Sequence, residues 1–113
     1  MVALDKKRRI IKEVLGYYAS IPYSTPDAQL TPLAVFDDHN DHYLLVTIGW
    51  QARHRYHNTV VHLDIIDGKI WLQKDNTDAV IAERLVEAGI PRTEIVLGFQ
   101  PENVRPYTDY AAA

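Results

Sequence analysis

Five histidines are the side chains in this sequence best suited to metal binding or proton transfer: His39, His42, His54, His57 and His62. Imidazole binds transition metals and changes its charge near neutral pH, but these residues form no compact motif such as two histidines one helical turn apart. His62 and Asp64 share one face of a predicted strand and offer one nitrogen and one oxygen ligand. Because two ligands do not complete a metal site, the sequence predicts no metal and no cofactor, and it favours a hydrogen-bonded pair.

Other catalytic chemistry has little support in the residues. The serines are Ser20 and Ser24, both after the first predicted helix and without the Gly-x-Ser-x-Gly turn of a nucleophile. The five glycines are dispersed, so no phosphate-binding loop can be drawn, and the absence of cysteine excludes thiol nucleophiles. The chain is therefore predicted not to be an enzyme, with a small enzyme site at His62 and Asp64 as the remaining catalytic alternative.

Two clusters of basic residues have a composition suited to nucleic-acid contact. The first consists of Lys6, Lys7, Arg8 and Arg9. The second runs over residues 53–57, where Arg53 and Arg55 lie beside an aromatic ring. However, 12 basic against 15 acidic residues give a net charge of −3, whereas proteins that bind phosphate backbones usually carry a basic excess. We expect weak or no direct binding of nucleic acid, and a direct DNA-binding role stays as an alternative.

An α+β arrangement must position these residues. Hydrophobic spacing predicts a first helix over residues 4–19, with a stripe made of Leu4, Ile11, Val14, Leu15 and Tyr18. After a proline-containing loop over 20–27, four antiparallel strands joined by short turns are predicted at residues 33–36, 43–50, 55–66 and 69–74. A second helix over 79–88 and a short apolar strand over 95–99 complete the predicted fold.

The pair Asp67-Gly68 predicts the turn of the last hairpin, because both residues tolerate the positive φ of a type I′ turn. That turn pairs Ile66 with Lys69 and, further along, His62 with Gln73. One face then carries the core residues Val61, Leu63, Ile65, Ile70 and Leu72. The opposite face carries a mixed set: Val60, His62, Asp64, Ile66, Trp71 and Gln73.

This mixed face is too apolar for plain solvent and too polar for a core. A tryptophan such as Trp71 on it either packs within the chain, beneath the N-terminal helix, or anchors a partner chain. The sequence therefore predicts an interface with another protein chain at His62, Asp64, Trp71 and Gln73.

The length and composition predict one domain over residues 1–113. A chain of 113 residues with 47% hydrophobic residues can form one core without disulfides. No stretch approaches the roughly 20 apolar residues of a membrane helix, and the first residues lack the apolar core of a signal peptide. A soluble, cytoplasmic protein without membrane contact is the expectation.

Several segments together resemble a known family. They include the run from His62 to Gln73, Asp75 with Thr77, the Gly89-Ile90-Pro91 sequence, and residues 94–99. The strand that ends in Gly49-Trp50 and the C-terminal segment 104–108 extend the similarity over nearly the whole chain. The sequence resembles the XisI-like family, the fdxN element excision controlling factor family. Asp78 stands where relatives are expected to carry glutamate, which keeps the acid at the helix start.

This resemblance implies a small α+β protein that assists the programmed excision of a DNA element. It implies an accessory role beside a site-specific recombinase and a companion named XisH, which resembles nucleases. It supplies no catalytic residues to carry over. Together with the net acidic charge, it leads us to expect action mainly through protein contact, with an XisH-like partner and a homo-oligomer as the expected assemblies.

Overall fold

The structure is a computed structural model that describes residues 1–23 and 28–113. It consists of a five-stranded sheet with two helices on one face. In chain order the elements are α1 (Leu4–Ala19), β1 (Ala28–Asp37), β2 (His42–Gln51), β3 (His54–Ile66), β4 (Lys69–Asp75), α2 (Ile81–Glu87) and β5 (Ile95–Leu97). Short 3₁₀ turns lie at Arg92–Glu94 and Arg105–Tyr107. The predicted loop over 20–27, with Ser24, lies partly outside the described residues.

The strands follow one another across the sheet in the order β1-β2-β3-β4-β5. The first four are antiparallel, because each is joined to the next by a short turn. The chain then passes through α2 before β5 pairs with β4, and this crossover makes the last pair parallel. The predicted α+β fold is confirmed, with the short C-terminal strand as the fifth member of the sheet.

The last hairpin has the predicted turn but only part of the predicted register. Asp67 and Gly68 have φ of 50° and 80°, as a type I′ turn requires. The pairs from the turn as far as Leu63 and Leu72 form as predicted. Beyond them the predicted pairing of His62 with Gln73 is wrong, because a β-bulge shifts the register and places His62 opposite Lys74.

The core lies between the helices and one face of the sheet. Its fully or almost fully buried members include Ile10, Ile11, Leu15, Tyr43, Leu45, Val61, Leu63, Ile70, Leu72, Ile81, Leu85, Ile90 and Ile95. Two predictions are corrected. Leu4 is largely exposed and Ile10 takes its place on the buried stripe of α1. Val60 packs against the core instead of lying on the opposite face, because pairing passes from Leu45–Val61 to Val46–Thr59 and leaves Val60 as a bulge.

The helix α2 begins later than the sequence predicts. Val80 has φ of 54°, which is not helical, so the first helical residue is Ile81. Its backbone N–H donates to Asp75 Oδ2 at 2.8 Å, and this carboxylate takes the place of a cap on the preceding residue. Gly89, with φ of 115°, ends the helix as predicted. No helix among the described residues has the length and apolar character needed to cross a membrane.

The strand β1 is longer than predicted and includes Pro32, opposite Thr47 of β2. Proline lacks the N–H that an interior strand would use on its second side, so it fits an edge strand. The first strand therefore forms one edge of the sheet, and the short β5 forms the other.

Candidate functional site

The sheet face opposite the helices carries most of the residues that sequence analysis selected for function. We call it the open face. Its residues are Leu33, Val35, His42, Leu44, Val46, Ile48, His57, Thr59, His62, Asp64, Trp71 and Gln73. It has an apolar part on β1 and β2 and a polar part on β2, β3 and β4.

The polar part is centred on Asp64, which holds two histidines. Asp64 Oδ1 accepts hydrogen bonds from His42 Nδ1 at 2.7 Å and from His62 Nε2 at 2.8 Å. Asp64 Oδ2 accepts a longer one, of 3.3 Å, from the side-chain amide of Gln73. The Asp64 side chain is 12% exposed, whereas that of His42 is 57% exposed. We call His42, His62 and Asp64 the His–Asp cluster.

Two β-bulges flank the His–Asp cluster, and the one at Val60 determines its membership. The bulge at Val60 places His42 opposite Asp64, where an uninterrupted ladder from the β2–β3 turn would place it opposite the core residue Leu63. The bulge at Gln73 lies on the neighbouring strand β4. Bulges alter the direction of side chains near functional sites. Here the bulge at Val60 brings His42 to the carboxylate of Asp64, whereas Gln73 lies on the face that the regular register already gives it.

Hydrogen bonding within the cluster shifts the pKa values of His42 and Asp64. The hydrogen bond to Asp64 raises the pKa of His42 above its ordinary value. Burial raises the pKa of Asp64, but the hydrogen bonds from His42 and His62 outweigh burial, so the pKa lies below its ordinary value. Asp64 is therefore ionised at neutral pH. An ionised carboxylate only accepts hydrogen bonds, so both ring nitrogens that face it carry protons.

Trp71 lies on the open face, as predicted, but not beneath α1. It pairs across the ladder with Asp64, and the guanidinium carbon of Arg105 lies 5.1 Å from its ring centroid. Gly98 is also adjacent, since a Cβ at that position would lie 3.2 Å from the Trp71 ring and 2.4 Å from Gln73 Oε1. The segment after β5 therefore covers part of Trp71 and Gln73, two of the four residues that were predicted to meet a partner.

The apolar part of the open face has no such cover among the described residues. Leu33 and Val35 are 39% and 47% exposed, and the register places them opposite Val46 and Leu44 of the neighbouring strand. With Ile48 they line a shallow groove that continues to β3. A contiguous apolar surface of this kind is typical of a protein-contact site.

The first basic cluster is largely used within the fold. Lys7, proposed from the sequence as a nucleic-acid contact, is instead fully buried and lies 2.7 Å from Glu94 Oε1. Arg8 pairs with Asp41 at 2.8 Å, so its charge is also balanced. Lys6 is exposed, and Arg9 Nε lies 3.7 Å from a carboxylate of Glu13 on the same helix. Two of the four residues are therefore held by partners inside the chain.

The second basic cluster stays at the surface. Arg53 and Arg55 are both exposed, at the turn between β2 and β3 and just after it. The guanidinium carbon of Arg55 lies 5.4 Å from the ring centroid of Trp50, which is 48% exposed. A cation stacked on an exposed aromatic ring is a feature that nucleic-acid-binding proteins also use.

His42 is the residue of the site that sequence reasoning missed. It follows the turn after β1 and lies 22 positions before Asp64, so no local spacing connects the two. The only sequence signal is that His42 precedes a predicted strand antiparallel to the strand of His62 and Asp64. The face on which it lies depends on the bulge.

Comparison with known proteins agrees with the fold and the resemblance. The chain matches the model of the XisI protein family over residues 1–112. The crystal structure of a XisI-like protein from Anabaena variabilis ATCC 29413 has 42% identity and a TM-score of 0.88, and the match covers 98% of this chain and 100% of that one. Among curated proteins no sequence matches the chain.

A second crystal structure connects the fold with a role. It is that of fdxN element excision controlling factor XisI from Anabaena variabilis ATCC 29413, with 34% identity and a TM-score of 0.81. The match covers 97% of this chain and 98% of that one. With a family model that extends over nearly all residues, the chain belongs to the XisI family.

Proposed function

We propose that this protein is a controlling factor for the excision of a DNA element and that it acts by contacting another protein. Membership of the XisI family supports the role, and so does a relative of known structure described as the fdxN element excision controlling factor. The observation that carries the proposed mode of action is the apolar part of the open face, which no other described element covers.

The partner that we propose is the XisH-like companion implied by the family, with a site-specific recombinase as a further member of the assembly. The contact centre is the apolar groove around Val35 and Leu44. The polar rim is formed by His62, Asp64 and Gln73, with Trp71 beside them. Such an arrangement, an apolar centre with a polar edge, is common to protein–protein interfaces.

Direct DNA binding is the second candidate, and Arg55 on Trp50 is the observation that favours it. Against it, Lys7 is buried and Arg8 is paired with Asp41, so the first basic cluster presents little free charge. The net charge of −3 also opposes attraction to phosphate.

The experiment is co-purification with the XisH-like companion, with the mass of the complex measured by light scattering after chromatography. Val35→Asp should weaken association at least tenfold, because it places a charge in the apolar groove. Val80→Asp is the matched control, since Val80 is 52% exposed and precedes α2, on the other side of the sheet. Unchanged association of the Val35→Asp variant would reject this surface. A homodimer that depends on Val35 would assign the surface to a second copy.

Trp71→Ala separates an interface role from a packing role. If the ring is a central contact, the variant should lose about 2 kcal/mol or more of association free energy. If the ring only supports Arg105 and the segment after β5, the temperature of thermal unfolding should fall, while the folded fraction should associate normally. The second result would remove Trp71 from the interface and leave the groove around Val35 as the contact.

A further inference from the structure

We propose that the His–Asp cluster binds one divalent transition-metal ion, with His42, His62 and Asp64 as its ligands. The relevant donor atoms, one ring nitrogen of each histidine and one carboxylate oxygen, all lie within 4.8 Å of one another. They come from two adjacent strands, which hold them more rigidly than loops would. This inference does not depend on the proposed function.

The chemistry of the donors selects the class of ion. Two imidazole nitrogens and one carboxylate oxygen suit Zn²⁺, Fe²⁺, Ni²⁺ or Cu²⁺, whereas Mg²⁺ and Ca²⁺ prefer oxygen ligands throughout. Three protein ligands leave at least one coordination position free for water or for a group from a partner. The exposed side of His42 provides the entry path, because its side chain is 57% exposed.

The distances are close to those that a metal needs. Ligand bonds of about 2.1 Å place two ligand atoms about 3.0 Å apart at a right angle and about 3.4 Å apart in a tetrahedron. Asp64 Oδ1 now lies 2.7 Å from His42 Nδ1 and 2.8 Å from His62 Nε2. The ion would replace the two protons in these hydrogen bonds. The contacts to Asp64 need to open by only a few tenths of an ångström, and the two ring nitrogens, which lie within 4.8 Å of each other, must come to about 3.0–3.4 Å. Rotation of the exposed His42 ring provides both movements.

A supporting residue orients the carboxylate. Gln73 donates from its amide to Asp64 Oδ2, which leaves Oδ1 directed at both histidines. Partners of this kind fix the ligands of metal sites and affect affinity. Gln73 is itself packed against Gly98, where any side chain would collide with its amide oxygen.

The test is calorimetric titration of the tag-free, chelator-treated full chain with Zn²⁺. We expect saturable binding of one ion per chain, weakened at least tenfold by His42→Ala and by Asp64→Asn. Gln73→Ala should have a smaller effect. Mg²⁺ at the same concentrations should produce no saturable binding.

His57→Ala is the matched control, because His57 is an exposed histidine on β3 and on the same open face but outside the cluster. It should bind Zn²⁺ like the unchanged chain. Since His42 is exposed, its loss should leave the circular dichroism spectrum unaltered, although the lost hydrogen bond to Asp64 should lower the temperature of thermal unfolding. The proposal is overturned if no binding saturates at one ion per chain, or if His57→Ala weakens binding as much as His42→Ala. Neither the calorimetric titration nor the folding measurements involve the complex with the XisH-like companion.

Discussion

Breaking the buried ion pair between α1 and the segment before β5 should be among the most destabilising single changes in this protein. Lys7 is fully buried, and its Nζ lies 2.7 Å from Glu94 Oε1. The same ammonium donates to the carbonyl of Gly68, and the same carboxylate oxygen accepts the N–H of Val2 at 3.0 Å. The pair therefore connects the helix, the last hairpin turn and the approach to β5.

The expected magnitude follows from the burial of both charges. Glu94→Gln should lower the free energy of unfolding by about 3–5 kcal/mol, because it leaves a buried ammonium without a countercharge. Lys7→Met should cost a similar amount by leaving the carboxylate unpaired. In a domain of this size, 3 kcal/mol corresponds to a fall in Tm of roughly 10 °C. The double variant should recover much of the loss, because uncharged side chains of similar volume often replace a buried pair at little cost.

Urea unfolding of the four proteins gives a double-mutant cycle, and we expect a coupling free energy of about 3 kcal/mol or more. Lys6→Met is the control, since Lys6 is the exposed neighbour of Lys7 and its loss should change stability by less than about 0.5 kcal/mol. If either single variant of the pair costs less than about 1 kcal/mol, the reasoning from burial is refuted. A Lys7→Met variant that stays folded but loses affinity for DNA would instead indicate that Lys7 is an exposed DNA contact.

Three further outcomes are expected. Burial raises the pKa of Glu94, but the hydrogen bond from Lys7 outweighs burial, so the pKa lies below its ordinary value of 4.5. The ionised carboxylate therefore stabilises the fold fully above pH 4.5, and this stabilisation is lost as the pH falls through the lower pKa of the folded state. Acid titration should therefore reduce the unfolding free energy of the unchanged chain more steeply than that of Glu94→Gln. Gly49→Ala should lower the free energy of unfolding by about 2 kcal/mol or more, as measured by thermal unfolding. Gly49 has a φ of 140°, and an added Cβ would lie 1.9 Å from the carbonyl oxygen of Gln29. Duplex DNA should bind with micromolar or weaker affinity at physiological salt, without sequence preference, and nanomolar selective binding lost in Arg55→Ala would favour the DNA-binding alternative.

Local patterns were sufficient for the order and type of the elements. The predicted first helix over 4–19 coincides with α1, because its apolar spacing, its basic outer surface and the following proline all agree. The pair Asp67-Gly68 was a reliable signal for the same reason, since the turn chemistry and the alternation of the flanking strands indicate one register. These features depend only on neighbours in sequence.

The buried Lys7 shows why composition alone misled the prediction of a basic surface. Four consecutive basic residues look like a solvent-facing cluster, yet a helix distributes consecutive residues around its axis. Lys7 lies one turn before Ile11 and two turns before Leu15, both of which are buried. The spacing that identified the apolar stripe therefore also includes Lys7. What spacing could not supply is Glu94, which comes from the other end of the chain.

The His–Asp cluster could not be predicted because its assembly depends on an irregularity in the ladder between β2 and β3. A bulge requires one unpaired residue and no special composition, and neither Val60 nor Gln73 is a glycine that would have marked it. Yet a register shift of one residue moves a side chain to the other face. Without the bulge at Val60, His42 would share a face with the core residue Leu63 and not with Asp64.

Each bulge interrupts a ladder whose regular continuation would supply backbone hydrogen bonds. The bulge at Val60 sets the position of His42 opposite Asp64, whereas Gln73 lies on the face that the register from the Asp67-Gly68 turn already gives it. Regular pairing of β2 with β3 would leave Asp64 partly buried with His62 and Gln73 alone, with one donor fewer to offset its desolvation. The bulge in β3 thus provides one more donor to a buried charge. A donor placed by irregular backbone at a largely buried carboxylate is what distinguishes the cluster from an ordinary surface pair.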